Sequence, residues 1–226
     1  VRIRNAYKEY VNKIFTLGGY SAEEAAKAAD AVIGLETEIA KVSVDRASLR
    51  DVHKNYNKMT VKDFTSKYDF IDWNIFFKET GISKSTELNA SQVTFFEGLT
   101  KLFKNVSLDT HKEYLTFKLL NAASNYLSED FVNANFEFFG KAVQGREELQ
   151  PLWKRSLSVV NRSLSDAFGQ LYVEKYFPAS SKEKMIEMVG NLQTALGERI
   201  AALDWMSDET KAKAQEKLGT FIVKVG

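Results

Sequence analysis

Cysteine is absent from this 226-residue chain, and proline and histidine occur only twice each. Without cysteine the chain can form neither a disulfide nor a thiolate metal site, and it has no thiol nucleophile. The compartment stays open, because exported proteins can also lack cysteine. Zinc hydrolases of the His-Glu-x-x-His type need two imidazoles one helical turn apart, with a glutamate between them as general base. Here the two histidines, His53 and His111, are far apart and neither begins that motif. A composite site joining both to a distant carboxylate is the remaining metal geometry, and each histidine has a plainer reading. His53 lies in the polar stretch Arg50-Asp51-Val52-His53-Lys54-Asn55, a solvated loop or fraying helix end. His111 follows Asp109-Thr110 at a helix start, where a partly exposed imidazole is ordinary. No catalytic, cofactor-binding or metal-ligating residue is assigned within the 226 residues.

A dominant charge is missing too. Lys+Arg 31 against Asp+Glu 30 gives a net charge of +1, with the two signs interleaved. The basic field that nucleic-acid binding requires is therefore not present. No apolar run reaches the roughly 18 residues of a transmembrane helix, and Val1-Arg2-Ile3-Arg4 begins no signal peptide. Asn-x-Ser sequons at Asn89, Asn105 and Asn161 are no more than chance supplies in a chain rich in Asn and Ser.

What is present is apolar bulk: 44% hydrophobic residues and 16 Phe, enough to fill one large domain or two small ones without staples. Two prolines, with abundant Ala, Leu, Glu and Lys, predict a mainly α fold of long packed helices with at most a short strand near the C-terminus. Ile3, Tyr7, Tyr10, Val11, Ile14 and Phe15 keep helical spacing up to Gly18-Gly19. Ser21-Ala22-Glu23-Glu24 is a capping box that opens a second, long helix. On it Glu36 and Glu38 diverge, as a spacing of two requires, and read as solvated or salt-bridged charges.

Thr60 is an N-cap candidate, and the aromatic run Phe70 to Phe77 reads as core, with no basic residue inside it to make a stacking platform. Glu87 to Phe96 leaves room for a short strand. Ser107 caps a helix through Phe117 and Leu120, and another carries Phe131, Ala134, Phe138, Phe139 and Val143 inward until Gly145.

After Pro151 a helix is predicted over 151–177, with Trp153, Leu157, Val160, Leu164, Phe168, Leu171 and Tyr172 as its buried stripe and Pro178 as its stop. From Ser180-Ser181 the next helix is expected to bury Met185, Ile186, Met188, Val189, Leu192, Leu196, Ile200 and Leu203. Ser207-Asp208-Glu209 caps a last helix ending at Gly219, and Phe221 to Val225 reads as a short strand without a visible partner.

Certain words in this chain are more specific. Leu152-Trp153-Lys154-Arg155, Val160-Asn161-Arg162 and Ala167-Phe168-Gly169-Gln170-Leu171-Tyr172-Val173 are followed by Leu203-Asp204-Trp205-Met206-Ser207-Asp208-Glu209-Thr210-Lys211, then Lys217 and Gly226. In this order they resemble the N-terminal region of the neprilysin and endothelin-converting-enzyme family of zinc endopeptidases. Tyr56-Asn57-Lys58-Met59-Thr60 fits the same family, and Ser156, where animal members commonly carry cysteine, suggests a bacterial-type member. The family uses an Asn-Ala pair to hold bound peptide, but Asn133-Ala134 falls in a helical segment well upstream of the expected place, so that role is not carried over.

The resemblance implies that residues 1–226 form most of a non-catalytic helical lobe, with terminal segments reaching into the catalytic lobe. That lobe would enclose a substrate chamber and limit peptide size. It implies zinc only in the full-length enzyme and the C-terminal catalytic portion of the same polypeptide as partner. Peptide substrates and a periplasmic, cell-envelope or extracellular location follow from it as well. The fragment alone is then inactive. Composition supports equally a stand-alone helical scaffold that docks partner helices. An enzyme acting through a carboxylate pair finds no pair that stands out from the salt-bridging background.

Overall fold

The computed structural model describes residues 2–82 and 84–225. Val1 and Gly226, both used in the readings above, lie outside them. The fold is mainly α and divides into two units, Val1–Leu149 and Gln150–Gly226.

The first unit is organised by α1 (Arg2–Leu17) and α2 (Ala22–Val42). Tyr10, Val11, Ile14 and Phe15 of α1 meet Ala25, Ala28, Ala29 and Val32 of α2, all buried. The alanines let the helices approach closely, and the large residues opposite them supply the apolar area. Burying a side chain such as Ile14 or Phe15 stabilises the fold by about 1.5–3 kcal/mol relative to leaving it in water. Between the helices the chain reverses through a Schellman motif. Gly19 adopts φ 96°, Tyr20 N donates to Phe15 O, Gly19 N donates to Thr16 O, and the Tyr20 and Phe15 rings meet at 5.0 Å. The capping box then starts α2: Glu24 N donates to Ser21 Oγ, and Ser21 N donates to the Glu24 carboxylate.

Against this pair pack α6 (Val93–Asn105), α7 (Leu108–Ala123), α8 (Glu129–Asn135) and a π-helix, Phe136–Val143. Phe117, Phe131 and Phe138 complete the core. The π segment lays the Phe136 ring over Gly140, where a Cβ would fall 2.3 Å from it, so this geometry requires the glycine. Gly145, at φ 69°, ends it as its sequence position predicts. Val143 departs from expectation: the wider π turn rotates it off the core face, and it is exposed.

A second core gathers Phe64, Tyr68, Trp73 and Ala90, with Phe70, Phe77 and Phe96 against them. It lies among α4 (Val61–Lys67), α5 (Trp73–Glu79) and two short antiparallel strands, β1 (Lys58–Thr60) and β2 (Glu87–Asn89). The aromatic run is thus largely packing, although Phe76, Ile71 and Ile75 stay exposed. Thr60 caps α4 as predicted, accepting from Asp63 N. The strand room seen at Glu87 to Phe96 is used at its start. Phe221–Val225 forms no strand, because no neighbouring backbone is placed to make its ladder.

In the second unit the long helix predicted over 151–177 is two helices, α9 (Leu152–Ser163) and α10 (Ser165–Tyr176), broken at Leu164, whose φ −128° and ψ 37° lie outside the α region. Ser163 and Ser165, weak helix formers, flank the break without Pro or Gly to announce it. Then come α11 (Ala179–Ala202) and α12 (Asp208–Gly219), the latter capped by Ser207 as expected.

Both predicted buried stripes need correction, since no described residue of this unit is buried. Trp153 is 64% exposed, Leu171 64% and Leu192 61%, and Met185, Ile186, Met188 and Leu196 also face outward. The reason is the number of layers. Here α9 packs against α10 and α11 against α12, and a helix pair covers only one side of each apolar stripe.

Candidate functional site

His53 is exposed in a one-turn helix, α3 (Val52–Asn55), whose first amides are capped by Asp51. His111 lies in the first turn of α7, its ring stacked on Phe103 at 4.9 Å and an interplanar angle of 15°. Among the described residues no three His, Asp or Glu side chains are grouped as a metal ion requires. A catalytic zinc takes at least three protein ligands, and the described residues assemble no such set.

Several carboxylates are held in ion pairs on the surface. Glu38 pairs with Lys41, Glu87 with Lys58, Glu97 with Lys67, Asp69 with Lys104 and Glu137 with Lys141. Where carboxyl titration is displaced among the described residues, it is displaced downward. The Ser21 hydroxyl holds Glu24 low, Ser48 holds Asp45, the Lys54 amide holds Asp51, and Lys104 holds Asp69. A general-acid carboxyl needs the opposite displacement.

The most organised polar cluster is structural. Tyr7 Oη donates to Glu36 Oε2 at 2.7 Å, joining α1 to α2, and Lys118 of α7 lies 4.0 Å from the other carboxylate oxygen. Glu36 is thus paired as predicted, but chiefly through a tyrosine that its sequence neighbours do not reveal. Nearby, Tyr10 Oη donates to Asn121 Oδ1 at 2.6 Å, and Asn135 Nδ2 donates to Tyr10 Oη and to the buried Ser124 Oγ. Burial raises the Tyr7, Tyr10 and Tyr114 phenols above their ordinary range; the Glu36 hydrogen bond adds to this at Tyr7. Asn89, a sequon by pattern, is fully used as a staple, accepting from Asn57 N and donating to Asn55 O and Ser91 Oγ.

Two grooves remain. One, of about 500 Å³, lies in the first unit beside the π-helix, with Tyr10, Ala134 and Phe138 below Glu9 and Asp130. Asn133 lines it from within α8, so the Asn-Ala pair is helical and not an edge strand. The other, of about 490 Å³, lies between α9 and α10. Leu157, Phe168 and Tyr172 wall it, and Gly169 lies between them. Neither brings together a nucleophile and a base. The grooves depend on tertiary packing and had no signal in the sequence beyond the apolar periodicity of their helices.

The chain belongs to peptidase family M13: the model of that family's N-terminal region matches residues 1–226. It is similar to Neprilysin-11 of Caenorhabditis elegans, 26% identical over 98% of this chain and 28% of that protein. It is also similar to the neutral endopeptidase of Lactobacillus helveticus, 26% identical over 97% of this chain and 34% of that protein. Among solved structures, the zinc metalloprotease ZMP1 of Mycobacterium tuberculosis in complex with an inhibitor superposes with a TM-score of 0.85. It is 30% identical over 96% of this chain and 33% of that one. The chain therefore spans about a third of the length of the relatives it matches.

Proposed function

We propose that these 226 residues are the N-terminal helical part of a secreted or envelope zinc metalloendopeptidase that cleaves short peptides. They build most of the lobe that encloses the substrate chamber and limits substrate size, and the terminal segments join the catalytic lobe. The zinc ligands and the glutamate base belong to polypeptide outside these residues. The observation that carries this reading is the family match along the full chain, set beside the lack of a metal donor set among the described residues. The physical role is steric: a closed chamber admits unfolded peptides, excludes folded proteins and restricts bulk water around the reaction.

The test compares the 226-residue chain with a longer polypeptide that includes the downstream coding sequence. The longer form is expected to bind one zinc and hydrolyse short peptides, and the 226 residues alone to do neither. Stoichiometric zinc binding in calorimetry, or turnover, by the shorter chain would overturn the reading. The exposed apolar face of α9 to α11 fits a lobe cut from a longer chain and a stand-alone docking scaffold alike. A natural stop codon after Gly226 decides for the scaffold, and a downstream His-Glu-x-x-His for the peptidase.

A further inference from the structure

We draw no further inference here: the strongest candidate, the outer face of α7 with Leu108, Leu115 and Leu119 exposed, is an unpartnered apolar surface, and nothing in the structure shows what covers it.

Discussion

Tyr7 Oη donates to Glu36 Oε2 at 2.7 Å, and this bond ties the first two helices together at a carboxylate only 25% exposed. Tyr7→Phe keeps the ring contacts with Phe117 and Phe138 but leaves the half-buried acceptor with only Lys118, at 4.0 Å. A loss of about 1–2 kcal/mol in urea unfolding is expected, the range for a hydrogen bond to a charged group with some solvent relief. An unchanged midpoint at unchanged m-value would mean that water satisfies Glu36 equally well.

Two glycines in helices give opposite expectations. Gly34 in α2 has open space around it, so Gly34→Ala should stabilise the chain by about 0.5–1 kcal/mol through helix propensity. Gly98→Ala gains the same propensity but places a methyl 2.5 Å from Val42 Cβ, an atom fixed to the α2 backbone. Overpacking of this kind costs about 1–3 kcal/mol, so the net effect is destabilising. Thermal melts of the two variants should move in opposite directions; a shared direction refutes the close α2–α6 approach.

Stability should fall at both ends of the pH scale for different reasons. Glu24, Asp45, Asp51 and Asp69 titrate lower folded than unfolded, so their contribution is present above the ordinary carboxylate range near pH 4 and is lost as pH drops below it. Tyr7, Tyr10 and Tyr114 are raised by burial, so theirs is complete below about pH 10 and is lost as pH climbs further. Urea midpoints across pH read both limbs. An acid limb that survives Glu24→Gln, Asp45→Asn, Asp51→Asn and Asp69→Asn in combination would assign it to other groups.

The two units should differ in their response to truncation. Phe117, 1% exposed, contacts Tyr7, Tyr10 and Phe15, and Phe117→Ala is expected to cost about 3–5 kcal/mol. Leu171→Ala, at 64% exposure in this chain, should stay within about 0.5 kcal/mol. Equal losses, measured by circular dichroism, would show that Leu171 is covered in solution.

Exposed Trp153, Leu171, Tyr172, Ile186 and Leu192 should make the 226-residue chain self-associate. Sedimentation velocity on the double variant Leu171→Glu, Leu192→Glu is expected to show more monomer than the parent at equal concentration. No difference would remove this face from the association.

Much of the helical order was legible in residue order because its causes are local. Gly18-Gly19, the Ser21-Glu24 box, Thr60, Ser107 and Ser207 each act on amides a few residues away, and α1 and α2 bury most of the positions their spacing marks, Ile3 at the start of α1 staying exposed. Family membership was legible too, in words spread over the last third. Spacing could not show the break at Leu164, where serines replace the usual breakers, or the π turn over Phe136–Val143, in which Phe136 lies over Gly140. Nor could it show that the stripes of α9 to α11 would stand open. Periodicity marks which side of a helix is apolar, but whether that side is buried depends on a second layer that only the tertiary structure places. For the same reason the Tyr7–Glu36 bond and the groove at Gly169 had no sequence signal: both join residues on separate helices, and their geometry exists only after those helices pack.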